Sequence, residues 1–408
     1  MPFAPESQAR QEGSATVIVS ELNKRRGGGV VRVEATVRWE DSDTPGMSLF
    51  IDAEERHADA IVADPNVFAI ACLLPAWRSG EKRLRVEGTL CPMLCERTKT
   101  ATGMLKVWDP DDLGRRPTIE ATAGYRVAEP VDGRAVSLLS CGIDSLATLR
   151  WNLLNVTRGH PDAIDACIYF EFDERAEASE SLLHEVTDPR SSAVAAVTAD
   201  AGVDAIPLRT NFWWLANDGW FYARKWHGAF LASLASAFGG RFRKGYVASS
   251  HSPAVVQPYG SHPLLDPYFS SAHFLIEHDL FSMDRADKVA LVSEWPVGVA
   301  NIRVCQNDTT GRANCGTCEK CIRTLVQLAG LGRLAAAVAS FPNALLTPDL
   351  IATIDRYDMI RGHPYFIGWY RAEIPKLRQQ GRDDLADALE RVLGSASLST
   401  ARTSSPSR

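Results

Sequence analysis

Ala135-Val136-Ser137-Leu138-Leu139-Ser140-Cys141-Gly142-Ile143-Asp144-Ser145-Leu146-Ala147-Thr148-Leu149 is the stretch on which the fold turns. Ala135–Leu139 is a short apolar run suited to a strand buried on both faces. From Leu146 to Leu154 the apolar residues return at helical spacing. Ser140–Ser145 is the turn between them. The same alternation recurs downstream. Ala166–Phe170 reads as a strand, followed by helices near Ser179–Glu185 and Ser191–Ala201. Strand Asp204–Leu208, a long helix from Trp220 to Phe238 and strand Lys244–Ala248 follow. Strands alternating with helices predict an α/β protein built on a doubly wound parallel sheet.

The turn has chemistry of its own. Backbone N–H groups between a strand end and a helix start are unpaired and form an anion cradle, which the helix dipole strengthens. Ser140 and Ser145 add hydroxyls, and Gly142 permits close approach and tight turning. Asp144 suits a helix cap or a magnesium ligand. In open α/β sheets, ligands bind beyond the carboxyl ends of strands, where this loop falls. A plain strand–turn–helix capped by Ser or Asp is the competing reading, and spacing alone does not choose between them.

Cys305-x9-Cys315-x2-Cys318-x2-Cys321 is the most specific signal in the chain. The two short spacings let three thiolates converge from a knuckle that Gly316 makes flexible. Cys305 closes the site across the polar loop Gln306–Asn314. Four thiolates suit tetrahedral zinc and leave no open position, so the metal is read as structural. A [4Fe–4S] cluster takes the same ligand set and is the alternative.

Ser-Cys-Gly-Ile-Asp-Ser at 140–145 resembles the Ser-Gly-Gly-x-Asp-Ser signature of the PP-loop ATP pyrophosphatases. The resemblance implies ATP cleavage between the α- and β-phosphates, with a carboxylate or carbonyl oxygen adenylated and AMP then displaced. It implies that Ser140, Gly142, Asp144 and Ser145, with the backbone of Cys141 and Ile143, hold the pyrophosphate. Adenine would meet the end of the second strand near Phe170 and Phe172. Cys141 stands where the signature has glycine: a negative φ there is harmless, and a positive φ is not. It reads either as a small residue filling a turn or as a thiol activated by the helix N-terminus. A PP-loop followed by this cysteine quartet is similar to the 7-cyano-7-deazaguanine synthase (QueC-like) family over residues 132–330. That likeness implies an ATP- and Mg2+-dependent C–N bond-forming ligase with a closed Zn2+ site. Its substrate would be a small-molecule or nucleobase-like carboxylate. Related proteins with added regions imply a protein acceptor as a further option. Sulfur transfer with an iron–sulfur cluster, and a non-catalytic nucleotide- or partner-binding module, are the competing functions. No Gly-x-x-x-x-Gly-Lys-Ser/Thr motif is present, which speaks against a Walker-type ATPase.

The remaining regions carry weaker signals. Residues 1–130 read as a β-rich accessory domain for substrate recognition or homodimerisation, with strands at Val17–Ser20, Val30–Trp39, Ser48–Asp52, Arg83–Leu90 and Met104–Trp108. A short helix is expected at Pro65–Leu74. Residues 131–335 form the nucleotide-binding domain, 336–393 a helical region and 394–408 a disordered tail rich in Ser and Thr. A net charge of -6 argues against general nucleic-acid binding. No leader-like start or membrane-length apolar run is present, so a cytoplasmic location is expected.

Other candidates follow later strands. Arg209 is placed to meet a carboxylate or phosphate, among Asn211, Trp213, Trp214, Trp220 and Trp226, which either stack on a planar base or pack the core. Lys225 and Lys244 are candidates to balance phosphate charge. His251, in Ser249-Ser250-His251-Ser252-Pro253, is a candidate for substrate binding or proton transfer. Asp266, in the segment 259–267 expected to close over substrate, takes the place of an acidic residue in the synthase family. No Ser–His–Asp logic for a hydrolase is visible.

Overall fold

The computed structural model describes residues 15–40, 44–111, 113–172, 189–305, 314–342, 344–356 and 364–402. Strands Thr16–Gly27 (β1), Val30–Trp39 (β2) and Met47–Glu54 (β3) form an antiparallel meander. Helix Pro65–Arg78 (α1) starts on an Asp64 cap with proline in its first turn. Strand Arg83–Val86 (β4), helix Pro92–Trp108 (α2) and strand Thr118–Ala121 (β5) complete this region. Next come Ala135–Leu138 (β6), Ile143–Asn155 (α3), Ile164–Phe172 (β7), Pro189–Ala201 (α4) and Asp204–Thr210 (β8). The expected long helix is broken into Gly219–Phe221 (α5), a π turn at Tyr222–Trp226 and His227–Ser236 (α6). Lys244–Ala248 (β9), Leu275–Asp279 (β10), Arg285–Ser293 (α7), Pro296–Ala300 (α8) and Glu319–Gly330 (α9) follow. Pro348–Ala352 (α10), Pro364–Gln379 (α11) and Asp383–Arg402 (α12) end the chain.

The ten strands of the described residues share one sheet, in the order β10-β9-β6-β7-β8-β3-β2-β1-β4-β5. Pairing is parallel except at the seam β8–β3 and within the meander β3–β2–β1. The protein is therefore α/β with a mostly parallel sheet, as the alternation of strands and helices implied. The N-terminal strands extend the sheet that carries the Ser140–Ser145 loop. They also bring two helices, α1 and α2, so this region is itself α/β rather than simply β-rich.

Side-chain alternation explains why the two halves read differently. In β6 and β7, Val136, Ala166 and Ile168 enter one apolar layer, while Ala135, Ile164, Cys167 and Tyr169 enter the other. Strands buried on both faces lose their polar positions. In the meander, Val31, Val33, Ala35, Val37, Leu49, Ile51 and Ala53 all enter the first layer, under α1, α2 and α6. The intervening positions carry Arg32, Glu34, Thr36 and Asp52, the period-2 pattern of strands with two unlike faces.

Two expectations need correction. Met104–Trp108 is the end of α2, not a strand: Leu94, Thr98, Ala101, Thr102 and Leu105 are its buried face, at helical spacing. The helix continues from Leu393 to Arg402, so the tail expected to be disordered is helical over that stretch. β10 and α7 were not foreseen, because β10 is short, charged and at the sheet edge. The expected helix at 179–185 lies outside the described residues. No helix among the described residues is long and apolar enough to cross a membrane.

Candidate functional site

The loop Ser140–Ser145 leaves the carboxyl end of β6, the strand between β7 and β9. The sharp turn falls on Cys141, with φ at 56°, while Gly142 has φ at -71°. The glycine thus does not supply the left-handed residue; the cysteine does, at the cost of Cβ crowding. Its backbone is held there by the Arg303 amide, which donates to the Cys141 carbonyl at 2.7 Å. The side chain is fully buried beside α3 and β7. That placement answers for its small size and removes it from reach as a thiol nucleophile.

No side chain caps the N-terminus of α3. Its first amide donors therefore stay open at the end carrying the partial positive charge of the helix. Ser145 Oγ donates to the Gly142 carbonyl at 3.1 Å and stands 3.3 Å from both Ser140 N and Ser140 Oγ. Both hydroxyls thus belong to the loop. Asp144 faces two cations: Arg285 at 3.7 Å and Lys288 at 3.7 Å. These are ion pairs beyond hydrogen-bond length, and the Asp144 Oδ1 is buried with no hydrogen-bond partner. An orphaned carboxylate oxygen beside an open helix end fits a Mg2+ ion held by one carboxylate and a ligand's phosphates.

His251 lies in the next carboxyl-end loop, after β9. Burial holds its imidazole down to about 4, against the opposing pull of Asp144. It is therefore neutral near pH 7, with Nε2 3.2 Å from the Gln257 amide nitrogen. Its loop is anchored by a buried chain that sequence reading missed. His278 on β10 sits 2.8 Å from Ser249 Oγ through Nε2 and 2.7 Å from Asp266 through Nδ1. Asp266 is fully buried and also accepts from Ser261 Oγ at 2.7 Å. It packs against Gly228, where a Cβ would fall 1.9 Å from its Oδ1. This has the order of a Ser–His–Asp triad. Ser249 is fully buried, however, and its Oγ lies 2.7 Å from the His251 carbonyl, its acceptor. The chain thus sets the His251 loop rather than presenting a nucleophile.

The other foreseen cations are committed elsewhere. Arg209 donates to Asp52 at 2.9 Å, on the seam strand β8. Lys225 is buried and paired with Asp109. Lys244 lies at the amino end of β9, opposite the loop, bound to Asp162 at 2.7 Å and Glu277 at 2.8 Å. Trp226 is a core residue, fully buried with its indole N–H on the Ala71 carbonyl at 3.0 Å. Phe170 packs at 5.6 Å against Phe230 in the first apolar layer. A cavity of about 780 Å³ lies apart from the loop, lined by Gly29, Glu55, Arg56, Ser192, Ala205 and Pro207.

The cysteine quartet does assemble. The sulfurs of Cys305, Cys315, Cys318 and Cys321 all lie within 4.8 Å of one another. Four sulfurs at about 2.3 Å from a tetrahedral zinc would be roughly 3.8 Å apart, so the donor set fits the ion. Amide N–H groups of Cys315, Thr317 and Cys318 point at cysteine sulfurs at 3.4, 3.4 and 3.2 Å, as thiolates require. Gly316 makes the knuckle's tight turn with φ at 74°. Asn314 is buried and accepts from the Val304 and Cys305 amides at 2.9 and 3.1 Å. It donates to the Ile302 and Ser340 carbonyls at 2.9 and 2.8 Å. The segment that carries Cys305 also carries Arg303, so the metal knuckle and the anion loop share one backbone joint. The chain thus joins an open helix end, an acid between two cations and a four-thiolate cluster, and neither a protein-family model, a curated protein nor a solved structure matches it.

Proposed function

We propose that this protein is an ATP-dependent adenylating synthase or ligase, similar in reaction to 7-cyano-7-deazaguanine synthase, that forms a C–N bond on a carboxylate or carbonyl substrate. The observation carrying this reading is the uncapped end of α3 at the carboxyl edge of the sheet, with Asp144 beside it. The loop amides and the hydroxyls of Ser140 and Ser145 would hold the β- and γ-phosphates. A substrate carboxylate oxygen attacks the α-phosphorus, the α–β bridge breaks and pyrophosphate leaves with its electron pair. A nitrogen nucleophile then attacks the acyl adenylate and AMP leaves. Magnesium on Asp144 would neutralise phosphate charge. His251, neutral near pH 7, would take the proton that the nitrogen sheds. Zinc in the cysteine cluster would be structural, since four thiolates close its coordination shell. A carrier role for Cys141 in sulfur transfer draws no support from its buried side chain.

The test is to incubate the protein with ATP, Mg2+ and a panel of carboxylates that includes a deazaguanine carboxylate. Release of AMP and pyrophosphate is expected, and Asp144→Asn should lower the rate by about 10²-fold or more. Release of ADP and phosphate, or full activity in Asp144→Asn, would overturn the reading.

A further inference from the structure

The sheet splits beside β8, and the split opens a hollow apart from the Ser140–Ser145 loop. β3 pairs with β8 only as far as Ala53 and Leu208. The preceding residue of β8 is Pro207, which has no N–H. Ala205, two residues before Pro207, turns its carbonyl toward β3, where Arg56 donates to it at 2.9 Å. Backbone groups two residues apart in a strand point the same way, so the donor that Pro207 lacks is the one β3 needed. Beyond this point the Arg56 side chain stands in for the neighbouring strand.

The second apolar layer thins at the same place. α4 packs on β7 and β8, and the cavity of about 780 Å³ lies between it and the Gly28–Gly29 turn that joins β1 to β2. Buried Tyr169, Val194 and Val30 give it apolar walls, and Pro207 adds to them. Ala195 lines it from an exposed position on α4. The volume is in the range of small-molecule sites.

The charges around the hollow almost cancel. Arg56 binds Glu54 at 2.5 Å and Asp204 at 2.8 Å. Arg241 binds Asp204 at 2.8 Å and Asp165 at 3.0 Å, and Arg134 closes the ladder on Asp165. Three guanidinium groups thus meet three carboxylates. Burial holds the His57 imidazole below its usual range, so it adds no charge near pH 7. Glu55 is left over. It lines the cavity, is exposed and makes no ion pair among the described residues. An entering ligand meets apolar walls and one unbalanced carboxylate. An anion is repelled there, and a neutral apolar molecule leaves the acid unanswered. A primary amine on an apolar body matches both features.

We infer that this cavity binds a small primary amine with an apolar body, its ammonium at Glu55 and its body against Tyr169, Val194 and Pro207. The site is separate from the Ser140–Ser145 loop, and it stands whether or not the chain adenylates a substrate.

The experiment is an NMR titration of the full chain, at pH 7 and low salt, with phenethylamine and with 3-phenylpropionate, which has the same body and the opposite charge. Phenethylamine should bind, and 3-phenylpropionate should bind at least about fivefold more weakly. Glu55→Gln should weaken phenethylamine by about threefold to fivefold, the range that an exposed ion pair supplies, and should not weaken 3-phenylpropionate. Ala195→Phe, which fills the hollow, should abolish the binding of both. Glu96→Gln, exposed on α2, should change nothing. Glu55 and Ala195 are both exposed, so their variants should keep the wild-type circular dichroism. If Ala195→Phe does not, Glu55→Gln decides alone. No binding of phenethylamine to the wild type, equal affinity for the two probes, or an equal loss in Glu96→Gln overturns the site. So does unchanged binding in a folded Ala195→Phe.

Discussion

Two carboxylates, Asp52 on β3 and Asp144 in the first turn of α3, are each flanked by two basic side chains, and they are treated in opposite ways. Asp52, fully buried, takes Arg32 in a two-pronged grip at 2.6 and 2.7 Å and Arg209 at 2.9 Å. Both of its oxygens are satisfied, and Arg32 also lies over the Phe50 ring at 4.1 Å. Asp144 stands 3.7 Å from each of its cations and keeps a bare oxygen. The first arrangement is closed and joins β3 to β8. The second is looser, with ion pairs beyond hydrogen-bond length and one oxygen without a hydrogen bond. Charge composition alone does not distinguish a closed ion-pair strut from a loosely paired acid; the distances and the unspent hydrogen bonds do.

The contrast can be broken most directly by removing each acid. Asp52→Ala removes the carboxylate shared by buried Arg32 and half-buried Arg209 and should cost about 3–5 kcal/mol. Asp144→Asn keeps its shape and gives up two ion pairs that are beyond hydrogen-bond length, and should cost about 1 kcal/mol or less. Urea denaturation of both variants reads the difference; equal losses would mean that Asp144 is a strut as well.

A second, smaller effect should be confined to one side. Asn314→Ala removes the acceptor and donor that bind four backbone groups around Cys305. It should cost about 2–3 kcal/mol and loosen metal retention by about 10–100-fold. Hydrogen exchange should then speed up in α9 and the 301–305 segment and stay slow in β1–β3. Uniform acceleration across the sheet would show that the knuckle braces the whole molecule.

The smallest effect tests the loop itself. At φ of 56°, Cys141→Gly relieves crowding worth about 1 kcal/mol but gives up a buried side chain, so its stability should stay within about 1 kcal/mol of wild type. Pyrophosphate binding should be retained. Cys141→Val should lose both, since a β-branched residue resists that backbone. A Val variant that binds normally would show that the loop does not need its left-handed turn.

The sequence was readable where chemistry is local. The loop lies between one strand and the next helix, and the cysteines declare themselves by spacing. Their assembly needed no knowledge of the rest of the fold. The cations were misjudged for the opposite reason. Arg209 and Lys244 stand near strand ends and Lys225 on the helical segment between them, which made them look available. Their partners Asp52, Asp109 and Asp162 are remote in sequence, and nothing in local pattern reveals such pairs. Arg285 and Lys288 went unread because an isolated base on an amphipathic helix looks like ordinary solvated surface. Cys141 was recognised as the odd residue of the loop, but only the backbone angle shows that it, rather than Gly142, makes the turn.

The seam between β3 and β8 has one more consequence, for the order in which the chain takes shape. Ile51 pairs with Thr210 and Asp52 with Arg209, residues 157 apart in the latter case. The meander can form as soon as its own hairpins are made, but β3 then waits with one edge open until β8 has been synthesised. Loop-closure entropy puts such a contact late. Until it closes, the nascent chain carries an exposed strand edge that can join another copy. The buried Arg32–Asp52 pair beside that edge places charge where a stray strand would dock, and so guards the interval before the two halves meet.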